Sequence, residues 1–114
     1  MIIYAVTFMI DRRLEIPFLG WLRGEALSRL QLPATSNPRL TKVAAVPGDP
    51  EFARQALSVT LHVDFPSPAP ARKWADTYLT PLLDAYTRKF GHEALHFASI
   101  LQTLPLSGVD ESLN

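Results

Sequence analysis

The run His92-Glu93-Ala94-Leu95-His96 is the most conspicuous chemical motif, because it spells the H-E-x-x-H signature of zinc hydrolases. On a helix, the two imidazoles would lie on one face about 6 Å apart along the axis, and Glu93 could activate a zinc-bound water. On a strand, they would lie about 13 Å apart, too far to share one ion. Asp110 and Glu111 are the further carboxylates that follow this run. A zinc hydrolase with His92, Glu93 and His96 as its site therefore requires a helix at this segment.

A second candidate pair is His62 and Asp64, which lie two residues apart in a segment of alternating apolar and polar residues. On a strand, both side chains would point to the same face, about 6.6 Å apart along it. An imidazole beside a carboxylate can bind a small ligand, or act as a general base with an orienting partner. The competing interpretation is that both belong to an ordinary hydrated or dimer-facing row with Ser58 and Thr60. His62 and Asp64 are the catalytic candidates of this sequence.

Several other kinds of site are excluded by composition. The sequence contains no cysteine, so disulfides, thiol nucleophiles and thiolate metal sites are ruled out. It has neither a glycine-rich phosphate loop nor a serine in a nucleophile elbow. Eleven Lys and Arg residues balance eleven Asp and Glu residues, so the chain has no net charge with which to attract nucleic acid. We therefore expect no cofactor, no resident metal and no nucleic-acid partner.

The size and hydropathy of the chain are those of one globular domain: 114 residues, of which 47% are hydrophobic and 19% charged. The most apolar run, 1–10, is about half as long as the ~20 residues that a membrane helix needs. Arginines follow this run rather than precede it, unlike in a secretory signal. We expect a cytoplasmic protein without a membrane partner. Residues 1–104 should form the domain, and 105–114 a disordered tail.

Hydrophobic periodicity divides the chain into strands and helices. Apolar residues at every second position predict strands, and apolar residues three or four apart predict helices. Pro81 should kink the second helix, because it lacks the N–H that would bond to Thr77, or divide it into two stacked half-helices with Thr80 as a local cap. Gly91 should end that helix, which favours a strand after it. The predicted strands cover 2–10, 39–46, 55–65 and 93–104, and the predicted helices cover 17–30 and 67–90.

Both tryptophans lie close to charged residues in the predicted helices. Trp21 lies one turn before Glu25, and we interpret it as a packing residue at the margin of the first helix. Glu25 and Arg29 have the spacing of a favourable i,i+4 ion pair. Trp74 directly follows Arg72 and Lys73, and this segment is interpreted as solvated surface.

The element order β-α-β-β-α-β is that of a ferredoxin-like α+β domain, in which a four-stranded antiparallel sheet carries two helices on one face. The other face of such a sheet is bare. The first strand is nevertheless apolar on both faces, so its second face needs a partner. A homodimer stacked sheet to sheet meets this need. The alternative is a monomer in which Ala5, Thr7 and Met9 are partly hydrated.

Four segments together resemble a small bacterial family of uncharacterised proteins. They are Met1-Ile2-Ile3-Tyr4-x-Val6-Thr7, Phe18-Leu19-x-Trp21-Leu22, Pro38-Arg39-Leu40-x-x-Val43 and Phe90-Gly91 with Phe97-x-x-x-Leu101. The resemblance covers nearly the whole chain. It implies the βαββαβ fold of the dimeric α/β-barrel type, in which two sheets face one another. It implies no activity, substrate or catalytic residue.

Three functional hypotheses follow. The first is a small homodimeric binding or accessory module, for which a small molecule is a possible ligand. The second is a cofactor-independent enzyme acting on a small organic substrate, with His62 and Asp64 as the acid–base pair. The third is the zinc hydrolase that would use the His92–His96 segment. The fold by itself selects none of them.

Overall fold

The elements of the chain follow one another from an N-terminal strand to a C-terminal strand, in a computed structural model that describes residues 1–107. The strands are β1 (Ile2–Asp11), β2 (Arg39–Lys42), β3 (Ala56–Phe65) and β4 (Leu95–Gln102). Three helices accompany them: α1 over 15–29, α2 (Phe52–Gln55) and α3 over 68–90. A short 3-10 turn, Arg12–Leu14, joins β1 to α1.

The four strands form one antiparallel sheet in the order β2-β3-β1-β4. The two ten-residue strands, β1 and β3, lie in the centre and pair over their whole length, from Ile2 with Phe65 to Asp11 with Ala56. β4 pairs with β1 on one side, and the short β2 pairs with β3 on the other. Alternating apolar residues predict such strands, and the α+β class with a four-stranded antiparallel sheet is confirmed.

One face of the sheet carries the hydrophobic core. β1 contributes Val6 and Phe8 to it, and β3 contributes Leu61 and Val63, all of which are fully buried. Both long helices pack on this face, because their apolar residues belong to the same buried cluster. The aromatic part of the cluster brings Phe8 of β1 within 5.4 Å of Phe18 and 5.0 Å of Tyr86, measured between ring centroids. Neither of the two long helices packs against the opposite face.

Each long helix contains one π-helical turn. α1 consists of Glu15–Trp21, the π turn Leu22–Ala26 and Leu27–Arg29. α3 consists of Pro68–Trp74, the π turn Ala75–Leu79 and Thr80–Phe90. Pro81 lies two residues after the second π turn, and it lacks the N–H that would donate to the Thr77 carbonyl. The helix continues past this proline to Phe90.

The strand predicted over 39–46 is shorter in the structure, and a helix that was not predicted precedes β3. β2 ends at Lys42, and a turn closed by a bridge between Val46 and Asp49 follows. Pro47 removes a backbone donor and Gly48 takes a positive φ of 87°, so this segment turns instead of pairing. The helix α2 then uses Ala53 and the following good helix formers, Arg54 and Gln55.

The end of α3 agrees with the prediction from glycine. Gly91 has φ 95°, and its N–H donates to the Thr87 carbonyl at 2.9 Å. A non-glycine residue would be strained in this conformation, so Gly91 ends the helix. The strand predicted over 93–104 follows as Leu95–Gln102.

Two further observations concern the ends of the chain and membranes. Among residues 1–107, no helix is long and apolar enough to cross a membrane. The predicted tail, 105–114, lies outside the described residues from 108 onward.

Candidate functional site

The face of the sheet that faces away from the helices is divided into two halves of different chemistry. The polar half lies on β2 and β3 and the apolar half on β4 and β1, because side chains opposite one another in register share a face. The polar half consists of Arg39, Thr41, Ser58, Thr60, His62 and Asp64. The apolar half consists of Ile3, Met9, Leu95, Phe97 and Leu101.

The strand alternation of β3 places His62 and Asp64 together in the polar half, as the sequence predicts. The structure does not join them to each other. His62 Nε2 and Thr41 Oγ1 share a hydrogen bond of 2.9 Å across the β2–β3 pair. Arg39 Nη1 donates to Asp64 Oδ1 at 3.1 Å and to the Asn37 carbonyl at 2.8 Å. Each candidate catalytic side chain therefore has its own partner on β2.

This arrangement limits the chemistry that the pair can do. A general base is usually oriented by a partner that holds its second ring nitrogen, and Asp64 is the residue that the sequence offers for this role. The carboxylate of Asp64 is instead the acceptor of a charge-assisted hydrogen bond from Arg39. What the polar half presents is a row of hydrogen-bonding groups, which suits binding of a partner surface or a ligand.

The middle of the same face is occupied by two threonines. Thr7 of β1 lies opposite Thr60 of β3, and their hydroxyl oxygens are 2.8 Å apart in a hydrogen bond. Ser58 is buried beside Met9, its register partner. The cross-strand pair of Thr7 and Thr60 therefore satisfies the two hydroxyl groups at the middle of this face.

The apolar half is exposed along β4. Leu95, Phe97 and Leu101 have 55%, 54% and 44% of their surface accessible, and every residue of β4 is exposed. β4 is also an edge strand, with β1 as its sole neighbour in the described sheet. Large exposed apolar side chains are typical of interaction surfaces, and so is a strand edge whose outer backbone donors and acceptors are unpaired among residues 1–107.

The zinc-hydrolase motif does not lie on a helix. His92 and Glu93 form a turn after α3, and His96 is the second residue of β4. The ring of His96 lies on the helix-covered side of the sheet, 6.2 Å from the ring of Tyr86. Within residues 1–107, no group of three or more metal-ligating side chains comes together. The zinc alternative therefore has no geometric support.

The two tryptophans are both packing residues. Trp21 is buried in the aromatic cluster and stacks on Tyr86 at 6.0 Å, as interpreted from the sequence, and Glu25 pairs with Arg29. The interpretation of Trp74 as part of a solvated surface is wrong, because only 5% of it is exposed. Trp74 turns toward the sheet, where it meets the side chain of Tyr4.

Sequence reasoning missed a cavity of about 430 Å³ at one end of the helix-covered side. It lies between the end of β3, the chain that follows α1 and the first turns of α3. Trp74, Thr77 and Tyr78 supply its α3 wall, and Phe65 supplies part of the wall from β3. A signal was present in the sequence, since Trp74 and Tyr78 have the i,i+4 spacing of neighbours on one helix face.

Three pKa shifts mark how charge and burial are distributed. Burial raises the pKa of the Tyr86 hydroxyl, and burial together with the nearby carboxylate of Asp76 raises that of Tyr4. Hydrogen bonds from the Arg13 side chain and backbone lower the pKa of Asp11, which caps the 3-10 turn. All three groups lie outside the polar half of the open face.

Comparison with known proteins gives a family and no activity. A family described as a domain of unknown function (DUF4286) matches residues 1–104. No curated protein and no solved structure matches the chain.

Proposed function

Because the chain belongs to the DUF4286 family of domains of unknown function, which supplies no activity, we propose from the geometry that the protein is a homodimeric binding module. In this proposal, two copies stack through the open faces of their sheets. The strand order β2-β3-β1-β4 is compatible with a ferredoxin-like domain of the dimeric α/β-barrel type. A cytoplasmic location stays a prediction from the sequence.

The observation that carries the proposal is the exposure of the apolar half. Phe97 and Leu101 are about half exposed in the single chain, although both lie on a regular strand. Water contact of large apolar side chains is unfavourable by roughly 25 cal/mol per Å², so a surface that covers them gains stability. A second copy of the same face offers such a surface. In a two-fold interface each residue contributes its contacts twice, once from each copy.

The size of the open face suits a dimer. Four strands about 4.8 Å apart and eight residues of about 3.3 Å each make a face of roughly 500 Å² in projection. The accessible area of a corrugated face is larger than its projected area. It therefore approaches the area of about 800 Å² that each partner buries in a standard interface. Charge does not oppose the association, because two copies of a chain with zero net charge do not repel each other.

The polar half of the face can be covered by a second copy without losing its hydrogen bonds. The pairs Arg39 with Asp64 and Thr41 with His62 satisfy one another within the chain, so covering them does not leave unpartnered charges. The enzyme hypothesis with His62 and Asp64 as an acid–base pair stays a prediction, and no contact between the two side chains supports it.

The test is the mass of the protein in solution, measured by light scattering after gel filtration of untagged protein. We expect the wild type at twice the chain mass of 12.7 kDa. The variant Phe97→Lys places a charge in the apolar half and should elute at the mass of one chain. Phe97 is exposed, so the substitution leaves the core intact.

Ile100→Lys is the matched control. Ile100 lies on the same strand and is partly exposed, but it points to the opposite face. This variant should remain a dimer. A wild type that is monomeric at all accessible concentrations overturns the proposal, and so does a Phe97→Lys variant that stays dimeric.

A further inference from the structure

The cavity of about 430 Å³ at the end of β3 has the volume and the walls of a small-molecule site. Its apolar walls are rings: the aromatic side chains of Phe65, Trp74 and Tyr78, and the prolines Pro33, Pro66 and Pro70. The three aromatic rings favour a flat aromatic occupant, because stacked and edge-to-face contacts between aromatic groups are favourable, and the prolines add apolar surface beside them.

The cavity wall at Trp74 is held in place by three contacts of this side chain. The indole Nε1–H of Trp74 donates to the Leu30 carbonyl at 2.7 Å, in a buried hydrogen bond that ties α3 to the end of α1. The Trp74 ring also meets Tyr4 edge-on at 5.7 Å and Phe65 at 5.4 Å between centroids. A wall that cannot rotate costs little entropy when a ligand binds against it.

The π turn of α3 sets the opening of the cavity. Both Thr77 and Tyr78 belong to the π turn Ala75–Leu79, which inserts one residue into the helical repeat. Leu79 is buried in the core, whereas Tyr78 is 39% exposed and borders the cavity. The shape of this wall therefore depends on the wider turn, which ends two residues before Pro81.

The polar groups at the cavity include one lysine that makes no ion pair with a carboxylate among residues 1–107. Lys73 lines the cavity, and among the described residues its ammonium makes no ion pair. The carboxylate at the cavity, Asp64, is already paired with Arg39. A lysine stem is flexible enough to bring its ammonium to an anionic group on a bound molecule.

Gln31 adds a neutral polar group to the lining of the cavity, and its backbone has a strained left-handed conformation. It lines the cavity from a left-handed backbone conformation, φ 48°, just after α1, where glycine is the usual residue. Its side-chain Nε2 donates to the Ser28 carbonyl at 3.2 Å, which leaves the amide oxygen free for other donors. Strain of this kind is commoner at ligand sites than elsewhere.

We propose that this cavity binds a small planar aromatic carboxylate, whose rings contact Trp74 and Tyr78 and whose carboxylate meets Lys73. The inference deepens the proposed function and rests on the protein being a binding module. It does not rest on the dimer, because every residue of the cavity belongs to one chain.

The experiment is a titration of ¹⁵N-labelled protein with 1-naphthoate, followed by NMR. The chain has two tryptophans, so its spectrum carries two indole N–H signals. We expect the Trp74 signal to move on titration and the Trp21 signal, from the aromatic cluster, to stay. Affinity for a probe of this size should be in the micromolar to millimolar range.

Variants separate the role of charge from that of the wall. Lys73→Met should weaken 1-naphthoate about five-fold, the effect of one partly exposed ion pair, and leave neutral 1-naphthamide unchanged. Lys89→Met, on the same helix but away from the cavity, is the matched control and should change neither. Tyr78→Ala should weaken both probes about ten-fold, because it removes a ring from the wall.

Equal binding of 1-naphthoate by the wild type and Lys73→Met overturns the carboxylate part of the proposal. An unmoved Trp74 signal at saturating probe overturns the site itself. The same titration on Phe97→Lys keeps the two proposals apart. Loss of the dimer would appear as a lower mass of Phe97→Lys in solution. Failure of the cavity site would appear as a flat titration curve in both the wild type and Phe97→Lys.

Discussion

The carboxylate of Asp64 is held by Arg39, whose Nη1 donates to Asp64 Oδ1 at 3.1 Å, and not by His62, its neighbour on the same face of β3. Arg39 lies directly opposite His62 in register and reaches along the sheet to Asp64. The guanidinium therefore takes the partner that a histidine base would need. The proposed binding face and the acid–base hypothesis differ in which residue Asp64 interacts with, and this interaction can be measured.

Double-mutant cycles should find coupling between Arg39 and Asp64 but not between His62 and Asp64. Alanine substitutions in the first pair should couple by about 0.5–1 kcal/mol, because Arg39 is partly exposed to solvent. The second pair should be additive within about 0.5 kcal/mol. Urea unfolding at one protein concentration gives the free energies. Coupling above about 1 kcal/mol between His62 and Asp64 would contradict this expectation and support the acid–base hypothesis.

Two glycine substitutions should change stability in opposite directions. Gly91→Ala should lower the free energy of unfolding by about 1–3 kcal/mol, because φ 95° with ψ 170° suits glycine alone. Gly20→Ala should raise it by about 0.5–1 kcal/mol, since Gly20 lies inside α1 and a Cβ there meets no atom within 4 Å. Thermal or urea unfolding measures both. A stabilised Gly91→Ala would contradict the helix-ending role.

Stability should fall at alkaline pH because of Tyr86. Burial raises the pKa of this hydroxyl in the folded chain above the ordinary value of 10.0. Above pH 10 the unfolded chain loses this proton while the folded chain keeps it, so stability is full below that pH and declines as the pH rises.

Tyr86→Phe should weaken this alkaline decline and cost about 1 kcal/mol at neutral pH, where it removes the hydrogen bond to the Leu95 carbonyl. Part of the decline should remain, because the pKa of Tyr4 is raised as well. Unfolding curves between neutral and alkaline pH provide the test. Identical alkaline slopes in wild type and variant would show that Tyr86 does not carry the effect.

Trp74→Phe should destabilise the chain by about 1–3 kcal/mol, because it leaves the Leu30 carbonyl without its buried donor. The same change at Trp21, whose indole makes no hydrogen bond within the described residues, removes ring area alone and should cost less. The midpoints of urea unfolding of the two variants measure this difference, provided that the dependence of the unfolding free energy on urea concentration is the same in both. A larger loss at Trp21 would mean that packing outweighs the hydrogen bond.

The regular parts of the fold follow from local sequence. Alternation of apolar residues predicts β1 and β3, and the left-handed requirement after α3 identifies Gly91. These features depend on residues within a few positions of one another, because the strand period, the helix period and glycine's freedom at positive φ are properties of the local chain. The spacing of Leu95, Phe97 and Leu101 likewise places them on one side of a strand, but their exposure follows from the packing of both long helices on the other face of the sheet.

The functional geometry depends on residues that are far apart in the chain. Arg39 and Asp64 are 25 residues apart, and Trp74 and Leu30 are 44 apart. Periodicity places Asp64 on a face but does not select its partner, since selection depends on the register of β2 against β3. The charged neighbours Arg72 and Lys73 favour a surface position for Trp74, and only the packed core shows that its ring is buried.

The sequence by itself therefore determined the two long central strands, the end of α3 and the apolar character of both faces of β1. Tertiary structure alone decided that β2 is short, that Asp64 pairs with Arg39 and that Trp74 lines a cavity. The reason is physical: hydrogen bonds and ring contacts between distant segments form only when the whole core packs, and their energies do not appear in any local pattern.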